Sequence, residues 1–170
     1  MQLTIPIQNF NINNVFFNNP IPNTVLEGSL FIRILYSDDY ITFNGIYLGL
    51  RWKASLSSFI MFDKNLEINN DLDEDLDQDI KDLINEEKDM QDLILIEKNI
   101  LNKLNIKNKN KVYQIPDQIK SIFTNLKKKY LQNNLKTSEI SFIFKCSGIW
   151  ITDDSYGLTF KLIDNLSNHP

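Results

Sequence analysis

Arg51-Trp52-Lys53 sets the largest aromatic side chain between two cations. Single-stranded nucleic acid requires this mixture, because bases stack on aromatic faces while cations follow the phosphates. Tyr36, Tyr40, Phe43 and Tyr47 precede that tripeptide, and Trp150, Tyr156, Phe160 and Lys161 lie near the other end of the chain. Phe43, Tyr47 and Trp52 are candidates for stacking, and Arg51, Lys53 and Lys161 for phosphate contacts. Arg33 and Trp150 complete the candidate nucleic-acid-binding set. Trp52, between two cations, reads as exposed. Trp150, between Ile149 and Ile151, has the setting of a core residue.

Other chemistries lack their parts. The only histidine is His169, and the only cysteine, Cys146, lies in an apolar run and reads as a buried thiol. Zinc sites and Ser-His or Cys-His nucleophiles therefore have no components. The five glycines are isolated, so no phosphate-cradling loop is present. Asn70-Asp71-Leu72-Asp73-Glu74-Asp75 lacks the central Gly and terminal Glu of a calcium loop. Two carboxylate pairs, Asp38-Asp39 and Asp153-Asp154, fall at predicted hairpin turns, where Asp is favoured for its backbone hydrogen bonds. The sequence thus predicts no catalytic residue, no metal and no cofactor.

The elements that must position these residues are mostly strands. Residues 1–28 read as an Asn- and Pro-rich arm with one short strand near Asn14–Phe17. Leu30–Tyr36 is dense in β-formers, Ser37-Asp38-Asp39 makes a turn, and Tyr40–Phe43 returns. A bend at Asn44-Gly45 leads into Ile46–Leu48, and a third run extends from about Trp52 to Phe62. The spacing then turns helical: Leu72, Leu76, Ile80, Leu83, Ile84, Met90, Ile94, Leu101 and Leu104 recur among charges, with Asn69 or Asn70 as cap. Asn105–Asn110 is a lysine-rich connector, and a second helix begins near Pro116-Asp117, with Ile119, Ile122, Phe123, Leu126 and Tyr130 on one face. Glu139–Thr152 reads as one long strand or as two broken at Gly148. Tyr156–Ile163 closes a hairpin, and residues 164–170 form a tail.

Three strands, a helical insertion and a hairpin follow one another in the order of the OB barrel. The expected fold is mainly β within the α+β class. It is a single domain over 1–170, a five-stranded OB-like barrel with a charged helical insertion at 65–135 between strands 3 and 4.

Net charge is −4, but the charges are segregated. Residues 63–98 carry 14 acidic and 4 basic groups, whereas residues 99–145 carry 10 lysines against Asp117 and Glu139. Such a dipolar insertion suits self-association, and its acidic half would compete with nucleic acid for the basic half. Replacing 65–135 by a Gly/Ser bridge is then expected to leave a folded monomer. No apolar run is long enough to span a membrane. The opening residues lack a signal-peptide pattern, so the sequence predicts an intracellular protein. Asn occurs 22 times and Ile 24 times, against one Ala, a bias that points to an AT-rich genome.

Two stretches resemble a known family. Phe17-Asn18-Asn19-Pro20, then Glu27-Gly28-Ser29 leading into Phe31–Tyr36, is similar to the opening of the single-stranded DNA-binding proteins of nucleocytoplasmic large DNA viruses. Phe144-Lys145-Cys146-Ser147-Gly148-Ile149-Trp150, followed by Tyr156-Gly157-Leu158-Thr159-Phe160-Lys161, resembles that family's closing hairpin. The resemblance spans residues 16–62 and 139–163. It implies an OB-type protein that coats single-stranded DNA, or RNA by the same chemistry, during viral DNA replication or repair. Such a protein works in the host cytoplasm or a viral replication factory. The alternative expectation is a structural or protein-interaction module on the same barrel, self-associating through 65–135 without binding nucleic acid.

Overall fold

The computed structural model describes residues 4–55, 78–119, 121 and 137–165. Nine strands form one mixed sheet: β1 (Ile5–Pro6), β2 (Val15–Phe17), β3 (Ile21–Pro22), β4 (Leu30–Ser37), β5 (Thr42–Asn44), β6 (Ile46–Ser55), β7 (Asn110–Val112), β8 (Thr137–Ile151) and β9 (Ser155–Asn165). The fold is therefore β-rich, as expected. Among the described residues it has nine strands rather than five, and the sheet does not close.

The long strand β8 organises the sheet. One of its edges carries β9 along Ser141–Ile151, and the other carries β6 along Thr137–Cys146 and β4 along Gly148–Ile151. The closing hairpin thus pairs with both long strands of the first half. β5 pairs with the end of β4 and then bends at Gly45, whose φ is +106°. A Cβ there would come within 2.7 Å of the Cys146 carbonyl oxygen, so a side chain is excluded by both conformation and space. Past this bend β6 runs unbroken, so Trp52 continues that strand and begins no third one. Residues 56–62 lie outside the described residues.

The Asn-rich arm is part of the sheet. The short strand expected near Asn14–Phe17 is present at Val15–Phe17 and pairs with β4, while β1 adds in parallel to β6 and β3 pairs with the start of β4. Tyr36 Oη accepts from the Asn11 N–H at 3.1 Å, which fixes the arm onto β4.

Among the described residues, two helical pieces lie between β6 and β8. Helix α1 (Gln78–Leu104) buries Met90, Leu93, Ile96, Ile100 and Leu101 in the same core as Ile46, Leu48, Phe142 and Phe144. That helix is part of the core, where the sequence had suggested a separate insertion. Residues 115–119 and 121 are helical again, anchored by buried Ile115 and Ile119. The expected caps Asn69 and Asn70, and the helical face from Ile122 to Tyr130, lie outside the described residues. No described helix is long and apolar enough to cross a membrane.

Candidate nucleic-acid interface

Directly opposed residues of paired strands project to the same side of a sheet. Across β4, β8 and β9 one side therefore carries Ile32, Ile149 and Leu158, and across β6, β8 and β9 it carries Leu48, Phe144 and Leu162. These residues form the core or pack against it. The opposite side presents three further rows: Phe31–Trp150–Gly157, Arg33–Gly148–Thr159 and Tyr47–Lys145–Lys161. Arg51, opposite Ser141, extends this outer face. A bulge at Cys146–Gly148 leaves Ser147 unpaired, with its hydroxyl donating to the Thr159 carbonyl at 3.2 Å.

Two glycines shape the aromatic surface. A Cβ at Gly157 would lie 2.7 Å from Trp150 Cζ2, so the indole rests on bare backbone. A Cβ at Gly148 would collide with the Phe31 ring and the Ile32 carbonyl. Each ring thus lies down on a cross-strand glycine, an arrangement that leaves its other face outward. Trp150 is half-buried, although both of its sequence neighbours are buried.

Clefts run along this face. One of about 580 Å³ lies between the segment 21–26 and the Phe31, Arg33 and Trp150 side chains. A second, of about 550 Å³, continues past Arg33 to Phe17 and Asn18. A third, of about 460 Å³, lies on the other flank of Trp150 against Gln114, Asp117, Gln118 and Ser121. Arg33 and Ile21 are shared by the first two clefts, and Trp150 and Thr159 by the first and third.

Both flanking walls are preorganised. In the first, Asn23 Oδ1 accepts from the N–H groups of Val25 and Leu26 at 2.9 and 3.3 Å, and Asn23 N–H donates to the Ser29 carbonyl. The wall on the other flank depends on Glu97, whose two oxygens accept from Gln114 N–H at 2.9 Å and Ile115 N–H at 3.2 Å. Its carboxylate satisfies N–H groups that open a helix. Burial pushes the Glu97 carboxyl above its ordinary range, and these two hydrogen bonds partly offset that.

Of the predicted residues, Arg33, Tyr47, Arg51, Trp150 and Lys161 meet on the outer face. Lys145 Nζ sits 5.4 Å from the Tyr47 ring centroid, which puts a cation beside that aromatic. Phe43 lies opposite buried Tyr36 and packs against the core, with its ring centroid 6.5 Å from that of Tyr47. Trp52 occupies the β6 position opposite Ile140, with the parity of Leu48 and Leu50; Lys53 lies opposite Glu139. The side chains of both lie outside the described residues. Sequence reasoning missed Phe31, Lys145, Ser147 and Thr159. Strict alternation from Arg33 points to Phe31, but the register that joins Lys145 and Thr159 to the face is a tertiary property.

The two carboxylate pairs sit in turns. Asp38 Oδ1 accepts from the N–H groups of Tyr40 and Ile41 at 2.9 and 2.8 Å, which lowers its pKa. That turn extends through Ile41, so the return strand begins at Thr42 and leaves Tyr40 91% exposed. Asp154 Oδ1 accepts from Thr152 and Ser155 hydroxyls, and its pKa is likewise lowered. Cys146 is fully buried, and burial pushes its thiol up to about 12. Among the described residues no three His, Cys, Asp or Glu side chains converge on a point. Comparison with protein-family models, curated proteins and solved structures finds no match.

Proposed function

We propose that this chain is a non-catalytic single-stranded DNA-binding protein built on an OB-type sheet, serving DNA replication or repair in a large DNA virus. The observation that carries the reading is the outer face itself. Arg33, Lys145, Lys161 and Arg51 are interleaved there with Phe31, Trp150 and Tyr47, and Arg33 and Trp150 line linked clefts. Unpaired bases have both faces free for stacking, and their phosphates lie within reach of neighbouring cations. A duplex keeps its bases stacked inside, so aromatics lying on the sheet have nothing to stack against. The OB-type arrangement is supported by a closing hairpin that pairs back onto β4 and β6 after a helical segment. Supporting the viral setting is the resemblance of the two β portions described above.

Fluorescence polarization with a labelled single strand of mixed sequence tests the proposal. Expected is saturable binding that weakens with added salt and is not competed by an equal mass of duplex. If no binding occurs even at low salt, the protein-interaction module is the better reading. The exposed Val25 and Tyr40 side chains would then be its first surfaces to probe.

A further inference from the structure

The clefts on the two flanks of Trp150 differ in chemistry, and the difference bears on which base is accepted. On one flank stand Arg33 and the apolar side chains of Ile21, Val25 and Leu26. On the other stand Gln114, Asp117, Gln118 and Ser121 beside Leu158 and Phe160, with no cation among the described lining residues. A carboxylate repels phosphate, so this second cleft suits the edge of a base and not the backbone. Its position is fixed, because the helical turn carrying Asp117 and Gln118 is held by Glu97 at its start and by buried Ile115 and Ile119 beneath.

We infer that a base stacked on Trp150 directs its Watson–Crick edge into this cleft, and that Asp117 selects bases carrying an exocyclic amino group there. The inference rests on the single-stranded DNA reading above. A carboxylate is an acceptor only. Cytosine offers it the N4 amino donor, adenine N6, and guanine the paired N1 and N2 donors. Thymine sets two carbonyl acceptors around a single N3–H, so a carboxylate meets repulsion on both sides. The Gln114 and Gln118 amides supply both donors and acceptors and tolerate any base. Selection therefore falls to Asp117.

Polarization titrations with labelled oligo-dC and oligo-dT of equal length test this, with Asp117→Asn beside the unaltered chain. The unaltered chain is expected to bind oligo-dC at least about fivefold more tightly than oligo-dT, the low end of one good base contact. Asn presents a donor as well as an acceptor, so Asp117→Asn should recover oligo-dT binding and bring the ratio close to one. Thermal melting of the exposed Asp117 variant should match the unaltered chain. Equal affinity for both oligonucleotides overturns the inference and leaves the DNA-binding reading standing. A preference that survives Asp117→Asn overturns it too. If neither oligonucleotide nor a mixed-sequence strand binds, the underlying reading fails and the inference with it.

Discussion

Trp150 sits where three constraints meet: Gly157 beneath its ring, Phe31 opposite it in the row, and a cleft on either flank. Removing the indole should lower affinity for a mixed-sequence strand by about 1–3 kcal/mol, the usual worth of one stacked base. Fold stability should change far less than for Phe144→Ala, since Phe144 is fully buried and such truncations cost about 3–5 kcal/mol. Polarization and thermal melting on both variants check this. A Trp150→Ala chain that melts like Phe144→Ala yet binds DNA normally would place the indole in the core. Gly157→Ala makes the complementary test. Its Cβ would also come within 3.0 Å of the Val112 carbonyl, so the indole must move. Trp150 emission should shift and affinity should fall without any loss of charge. At this scale the sequence was half legible. Arg33, Tyr47, Arg51 and Lys161 could be selected by type, and alternation within a strand gives each a face. Phe43 could be selected by type too, but its place opposite buried Tyr36, with its ring 6.5 Å from that of Tyr47, is set by hairpin register and the bend at Gly45.

Helix α1 shows what element-scale reading sees and misses. Met90, Ile94, Leu101 and Leu104 are visible as a helical stripe, and Met90 and Leu101 are buried. Leu93-Ile94-Leu95-Ile96 is apolar at four successive positions, so periodicity alone cannot orient it. The fold buries Leu93 and Ile96 and leaves Leu95 52% exposed. Because α1 and the next helical turn supply Leu93, Ile100, Leu101 and Ile115 to the core, the 65–135 segment is not dispensable. Truncating each of these would cost about 2–5 kcal/mol. Together, about 8–20 kcal/mol, they match or exceed the roughly 5–15 kcal/mol by which a domain is stable. Replacing 65–135 with a Gly/Ser bridge should therefore abolish the cooperative melt, contrary to the expectation of a folded monomer. Glu97 adds a pH signature to the same helix. Its folded pKa lies above the ordinary glutamate value of 4.5, so its contribution is full below that value and is lost as pH rises through the elevated pKa. Glu97→Gln has no proton to release there. The Tm difference, unaltered minus variant, should shrink as pH climbs through that window, and a pH-independent difference would refute the assignment.

Over the whole molecule, net charge misleads. The chain carries −4, yet the outer-face rows hold Arg33, Arg51, Lys145 and Lys161, with Asp117 in the cleft beside Trp150. The separation was legible only in part. The acidic run 63–98 stands out in the sequence, but the four cations of the face are spread over more than a hundred residues and are gathered by strand pairing. Whether the acids at 71–79 compete for this face concerns side chains outside those described. The cations make a quantitative claim of their own. Each phosphate neutralised on a single strand contributes about −0.7 to the slope of log K against log salt concentration. Four such contacts give a slope of about −3, modest beside proteins that track long stretches of backbone. Replacing Lys145 and Lys161 with Gln should reduce it to about −1.4 and weaken all sequences alike, because phosphates carry no base information. The polarization series that tests binding, repeated across salt concentrations, gives the number directly. A slope that is unchanged in the double variant would mean that these lysines do not touch the strand. A slope much steeper than about −3 in the unaltered chain would require further cations, and residues 99–145 hold nine lysines besides Lys145.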